Sequence, residues 1–176
     1  MTGMRIGEAA ALQWSDINFE TGLLSITKTL YYKTIDEYKF VEPKTQASIR
    51  TIYIDTDTIK ELKAWQEVQQ KVLKDCDLVL SYNGIPTNKH TLPRALEKLA
   101  GLAGVHRIKI HALRHSHVSL LINMGFTVLA IANRMGHESI DITYRYAHLF
   151  PNEQTQMAEQ LDIERMEKSN GEESGQ

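Results

Sequence analysis

The sequence lacks most of the features that place a protein quickly. It has one cysteine, Cys76, so no internal disulfide can form, which fits a reducing cytoplasm. No apolar run approaches the roughly 18 residues that a membrane-spanning helix needs. Thr2-Gly3-Met4-Arg5 follows Met1 at once, without the pattern of a signal peptide. A cytoplasmic protein with no membrane partner is therefore expected. There is no Walker motif, no dinucleotide fingerprint, no glycine-rich phosphate loop and no nucleophile elbow, so the commonest nucleotide-binding and hydrolase signatures are missing. Internal repeats are absent too. Net charge is small, −2 over 176 residues, which on its own argues against a nucleic-acid partner.

The distribution of charge reverses that argument. Residues 85–150 carry eight Lys/Arg against three Asp/Glu and hold all seven histidines, whereas residues 151–176 carry two basic and seven acidic groups. A basic middle hidden by an acidic tail fits a polyanion footprint. A solvated surface that happens to cluster its charge is the plainer alternative.

Periodicity gives a mixed reading of elements. Arg5–Leu12 reads as a helix with Arg5 in its first turn, where free N–H groups and a guanidinium could together hold an anion. Leu23–Leu30 and Ile49–Ile54 alternate like strands, with a weaker strand at Glu37–Val41 and a turn at Pro43–Ser48 that leaves Lys44 at the tip or edge of a hairpin. A capped amphipathic helix follows from Thr56, using Ile59, Leu62, Trp65 and Val68–Leu73; then come a short buried strand at Leu78–Leu80 and a loop at Ser81–Pro86. Thr91–Ala103 is a further helix with Leu92, Leu96 and Leu99 inward. His111–Met124 is another, with Leu113, Leu120, Leu121 and Met124 as its apolar set and Gly125 as its stop. Thr127–Met135 ends at Gly136, Ser139–Tyr146 is a short helix, and Asn152–Lys168 carries a sparse apolar face of Met157, Leu161 and Ile163. The Gly/Ser/Glu-rich residues 169–176 read as a disordered tail.

His111 and Arg114, three apart, share a helix face, and arginine is the fork-shaped donor suited to phosphate. His111 and His115 also have the spacing of a zinc helix, but Ala112 stands where a metalloprotease needs its glutamate, and no third ligand is evident.

Taken in order, Thr-Gly-Met-Arg5-Ile-Gly-Glu8, Pro-Lys44-Thr with Ser48-Ile-Arg-Thr-Ile, His111-x-x-Arg114, Gly-His137 and Tyr146-Ala-His closely resemble the tyrosine recombinase/integrase family, particularly integrases of phages and conjugative transposons. The resemblance implies a mainly α fold with a small antiparallel β-sheet, the α+β fold of the recombinase catalytic domain. It implies that Arg5 and Arg114 clamp a scissile phosphate and that Lys44 protonates the leaving 5′-oxygen. His111 assists proton transfer at the tyrosine hydroxyl, His137 hydrogen-bonds the phosphate, and Tyr146 attacks to give a 3′-phosphotyrosyl link. Glu8 supports the first arginine. Tyr144 is the rival nucleophile, and the spacing from His137 favours Tyr146. His115, His117 and His148 have no catalytic counterpart, so core or DNA-backbone roles are expected for them.

The resemblance further implies double-stranded DNA as partner, a homotetramer on DNA joined through the C-terminal helix, and no metal or cofactor. The expected organisation is an N-terminally truncated catalytic domain over residues 1–168, without the family's core-binding and arm-binding domains. Two other outcomes stay open: a catalytically silent DNA-binding remnant, and relaxation of supercoils in the manner of type IB topoisomerases.

Overall fold

A computed structural model describes residues 2–33, 37–88, 90–149 and 157–164. The sheet half comes first. Helix α1 (Ile6–Ala10) leads through a 3-10 turn at Trp14–Asp16 into strands β1 (Ile17–Asn18), β2 (Leu23–Ile26), β3 (Thr29–Tyr32), β4 (Tyr38–Val41) and β5 (Arg50–Tyr53). The helical half follows: α2 (Thr56–Val72), α3 (Thr91–Leu102), α4 (Ile110–Asn123), α5 (Val128–Met135) and α6 (Ile140–Tyr144), with a 3-10 turn at Ala147–Leu149. The fold is mostly helical with small antiparallel sheets, as expected.

The β-region differs from the expected single sheet. The run Leu23–Leu30 breaks after Ile26: β2 pairs with β1 and β5 in one antiparallel sheet, while β3 pairs with β4 in a separate hairpin. Lys28 at the break pairs with Asp16 at 2.8 Å, and Leu30 leaves for another cluster, against Ala10 and Ala11 at the end of α1. Lys44 accordingly sits on the connection between the two sheets, not at a hairpin tip. Leu78 and Val79 are buried, yet only an isolated bridge, Gln13 to Leu78, pairs the segment that reads as a strand.

The main core lies between the three-stranded sheet and α2, where Leu24, Ile26, Ile52 and Ile54 meet Trp14, with Ile59, Leu62 and Trp65 packed on them. Alternation along β2 and β5 is what buries these residues on one face. A polar peg completes it: buried Gln69 accepts a hydrogen bond from Trp14 Nε1 (2.8 Å) and donates to the Leu78 and Ser81 carbonyls (3.0 and 2.9 Å). Gln69 takes the inward position that the apolar pattern assigned to Val68, which is exposed.

A second, smaller cluster joins α4 to α5 through Val118, Ile122, Ile131 and Met135. The inward face of α4 runs Arg114, His117, Val118, Ile122, while Leu113, Leu120 and Met124 from the expected apolar set are exposed. Leu99 of α3 is exposed as well, and Ala100 is buried in its place. Residues 157–164 are helical, with Met157, Leu161 and Ile163 exposed; the rest of the expected C-terminal helix and the tail at 169–176 lie outside the described residues. Among the described residues, no helix is long and apolar enough to cross a membrane.

Candidate active site

The end of α5 gathers the site. Thr127 caps its start, its Oγ1 accepting from Ala130 N–H at 3.2 Å. Gly136 ends it at φ +64°, and His137 N–H closes the turn on Ala132 O at 3.0 Å. A side chain at 136 would strain that φ and bring its Cβ to 2.7 Å from Arg50 Nη1 and 2.9 Å from the Ala47 carbonyl. The reason for the crowding is that three arginines dock on the last carbonyls of this helix. Arg50 Nε donates to Arg134 O (2.8 Å), Arg114 Nη2 to Met135 O (2.6 Å) and Arg5 Nη2 to Gly136 O (2.9 Å). Terminal helix carbonyls lack intrahelical partners and carry the negative end of the helix dipole, so they attract cations. Residues far apart in sequence are thereby held side by side.

Glu8 ties two of these arginines together. Its Oε1 accepts from Arg5 Nη1 at 2.8 Å and its Oε2 from Arg50 Nη2 at 3.0 Å. Oε2 also takes the Arg5 backbone N–H at 2.8 Å. Burial pushes this carboxyl up, but hydrogen bonds from Arg50 and Arg5 outweigh it and hold the group below its ordinary range. The N–H of Arg5, the residue before α1, is thus taken by a carboxylate.

The arginines differ in what they have left to give. Arg50, its side chain 6% exposed, spends donors on Glu8, Ser48 O and Arg134 O. Arg114 uses Nη1 on Gly3 O (2.6 Å) and Nη2 on Met135 O, and Arg5 uses Nη1 on Glu8 and Ser48 Oγ and Nη2 on Gly136 O. Each guanidinium has five N–H bonds, so Arg5 and Arg114 retain donors that Arg50 has largely committed. Burial and then Arg5 bring Arg114 down to about 10, which leaves it charged at neutral pH. Gly3, at φ +68°, lets its carbonyl reach Arg114, since a Cβ there would lie 2.5 Å from the His117 ring.

His137 follows directly on Gly136. Its Nδ1 lies 2.8 Å from Thr143 Oγ1, and burial, with Arg114, Arg5 and Arg50 nearby, lowers it to about 4. It is a neutral imidazole at pH 7. His111, exposed near the start of α4, is lowered by burial and by His115, Arg114 and Arg5. Tyr146, half-buried, packs against the α4–α5 cluster, and its hydroxyl hydrogen-bonds His115 Nδ1. Burial raises its phenol, with Arg114 and Arg145 pulling the other way. Tyr144 ends α6 with 52% of its surface exposed. His117 is buried, its Nε2 accepting from Arg134 Nε (3.3 Å), while His148 is exposed.

Five of the six site residues read from the sequence therefore converge: Arg5, Arg114, His111, His137 and Tyr146 share the space around the end of α5 and the first turns of α4. Lys44 does not join them. It is exposed and makes no hydrogen bond or ion pair among the described residues, although it lies just before Ser48, which contacts Arg5. Two residues at the site received no catalytic role from the sequence. Arg50 stood inside the quoted Ser48-Ile-Arg-Thr-Ile run, and an arginine alternating inward among apolar neighbours was the signal available. His115 gave no local signal, because its partner is 31 residues away.

A helical domain with small sheets, in which arginines from distant parts of the chain meet histidines and a tyrosine, is that of the phage integrases and their recombinase relatives. The sequence profile of the phage integrase family matches residues 1–153, and the chain belongs to that family. It is 32% identical over 170 residues to the ICEBs1 integrase of Bacillus subtilis (strain 168), covering 92% of this chain and 46% of that protein. A XerC-like tyrosine recombinase of Caldanaerobacter subterraneus subsp. tengcongensis is 32% identical over 181 residues, with the same coverage of 92% and 46%. The chain spans about half the length of these curated relatives. Among solved structures, the Tn1549 transposon integrase in complex with circular intermediate DNA superposes with a TM-score of 0.71 at 25% identity, covering 94% of this chain and 56% of that one. XerH recombinase bound to its palindromic difH substrate, at 24% identity and a TM-score of 0.63 over 93% of this chain and 43% of that one, shares the fold.

Proposed function

We propose that this chain carries the catalytic machinery of a site-specific DNA recombinase that integrates or excises a mobile element. The observation that carries the reading is the docking of Arg5, Arg50 and Arg114 on consecutive carbonyls at the end of α5, beside His137 and Tyr146. Fixed cations in a partly desolvated site stabilise charge as it develops on a phosphate, work that a metal ion does in many phosphotransfer sites.

In this reading Arg5 and Arg114 bind the non-bridging oxygens of the scissile phosphate through their remaining N–H groups. With the Thr143 hydroxyl donating to Nδ1, neutral His137 keeps its proton on Nε2 and gives it as a hydrogen bond to the same phosphate. Tyr146 Oη attacks phosphorus, the bond to the 5′-oxygen breaks, and Lys44 protonates that oxygen. Because Lys44 sits on an exposed connection between the sheets, it reaches its position when DNA is bound. The resulting phosphotyrosine keeps the energy of the phosphodiester, so a 5′-hydroxyl can reverse the step without ATP.

The partner is double-stranded DNA, and strand exchange calls for a tetramer. An apolar groove of about 660 Å³ beside the α4–α5 contact is lined by Leu120, Leu121, Met124, Phe126 and Ile131. The occupant that suits it is the 157–164 helix of a second copy, whose Met157 and Leu161, four apart, stand exposed. Passed head to tail, that contact closes into a ring.

The test is SDS-resistant protein–DNA adduct on nicked duplex DNA at low salt, where phosphate contacts are strongest. Adducts from the native chain and from Tyr144→Phe, lost in Tyr146→Phe, are expected. DNA binding without adduct in any of the three would favour a silent binding module, and supercoil relaxation without exchange between sites would favour topoisomerase chemistry.

A further inference from the structure

We propose that Thr45 and Ser48 are positioning residues for Lys44, tying the acid to Arg5 through their hydroxyls. The assignment rests on Lys44 being the proton donor and Arg5 a phosphate clamp. Lys44 itself is exposed on the connection between the sheets, but the chain is pinned from the next residue on. Thr45, in extended conformation, leads into the 3-10 turn Gln46–Ser48. Side chains three apart eclipse in such a turn, which brings Thr45 Oγ1 to 3.0 Å from Ser48 Oγ. The Ser48 N–H donates to Thr45 O, also at 3.0 Å, and closes the turn.

Ser48 is buried, and its Oγ accepts from Arg5 Nη1 at 3.2 Å. Its own proton is then free for Thr45 Oγ1, so the row Arg5, Ser48, Thr45 is polarised in one direction. Two further contacts hold the turn in place. The Ser48 carbonyl accepts from Arg50 Nη1 at 2.9 Å, and the Ala47 carbonyl lies so close to Gly136 that a Cβ there would stand 2.9 Å from it. The last anchored side chain, Thr45, adjoins Lys44. A long side chain on a fixed backbone therefore serves a phosphate held by Arg5, and the acid is aligned with the leaving oxygen by the group that binds the phosphate. Arg5 keeps Glu8 Oε1 and Gly136 O when the Ser48 hydroxyl is removed, so the loss falls on the Lys44 side.

The test follows single-turnover adduct formation on nicked duplex DNA. One substrate has the ordinary 5′-oxygen at the scissile phosphate, and the other a 5′-bridging sulfur, whose thiolate leaves without protonation. Lys44→Ala is expected to lose about 100-fold on oxygen, the usual scale for a general acid, and to recover on sulfur. Thr45→Val keeps the shape of the side chain and removes its hydroxyl. Thr45→Val and Ser48→Ala are each expected to slow cleavage about 5-fold on oxygen, the scale of one hydrogen bond, and to recover on sulfur. Thr45→Ser is expected to cleave at the native rate. Added to Lys44→Ala, Thr45→Val is expected to cost nothing more, since both act on the same proton. Thr45 is only half-buried, so its variants decide the matter where Ser48→Ala lowers stability. A native rate in Thr45→Val, or an equal loss on both substrates, overturns the proposal and leaves Lys44 as the acid. Lys44→Ala that cleaves at the native rate, or stays slow on sulfur, overturns the underlying reading as well.

Discussion

The arginine side of the site and the tyrosine side are held in opposite ways. Arg5, Arg50 and Arg114 are pinned by three helix-terminal carbonyls, a buried carboxylate and two further carbonyls, and the Glu8 side chain at their centre is 2% exposed. Tyr146 follows a five-residue helix, with one hydrogen bond from its hydroxyl to an exposed histidine, and Lys44 rides an open connection. The first arrangement holds donors in place before any charge develops, which avoids reorganisation during the reaction. The second holds Tyr146 and Lys44 by fewer contacts, which suits the proposed roles of nucleophile and acid in cutting and rejoining a strand.

Removing the pin should cost most. Glu8→Ala leaves the nearly buried Arg50 guanidinium without its counter-charge and is expected to lower unfolding free energy by about 3–5 kcal/mol in urea titration. Unchanged stability would mean that water reaches Arg50 and that the arginine side is no more rigid than the tyrosine side. Gly136→Ala comes next. It forces a side chain into φ +64° and against Arg50, for an expected loss of about 1–3 kcal/mol together with slower adduct formation. A variant that melts like the native chain would show that the end of α5 yields easily.

Acid sharpens the contrast more gently. His117 and His137, both lowered to about 4 by burial and neighbouring arginines, stay neutral in the folded chain while the unfolded chain gains protons near the ordinary histidine value of 6.5. The unfolded state therefore binds more protons between these limits, so stability falls with pH through that window and levels off below about 4. The loss should be about 1 kcal/mol per histidine over the first unit below 6.5, read from melts across that range. His137→Asn should remove half of the slope. Tyr144→Phe has the smallest expected effect: an exposed phenol beyond the contacts of Tyr146 should leave adduct yield unchanged, and a clear drop would reopen the choice of nucleophile.

How much of this was legible in the sequence follows the same division. Strands β2 and β5 and helices α2, α4 and α5 were readable because alternation or capping residues mark them locally. Thr127 and Gly136 bracketed α5 to within a residue. The face of α4 was not readable. Leu113 and Leu120 looked like core, but Arg114 takes an inward position because the Gly3 and Met135 carbonyls receive it, and His117 takes another against Arg134. The split of the β-region was hidden for a related reason, since nothing within Leu23–Leu30 announces that Lys28 pairs with Asp16. Arg5, Arg114, His111, His137 and Tyr146 could be listed from their order along the chain. That Glu8 ties Arg5 to Arg50, and that His115 meets the phenol, depends on contacts between distant segments that no local pattern encodes.

The most direct measurement is to digest the covalent protein–DNA adduct and find the peptide that bears the nucleotide by mass spectrometry. The expected result is a nucleotide phosphate on Tyr146, joined through the 3′ end of the cut strand with a free 5′-hydroxyl across the break. A nucleotide on Tyr144, on a serine, or at a 5′ end would contradict the account.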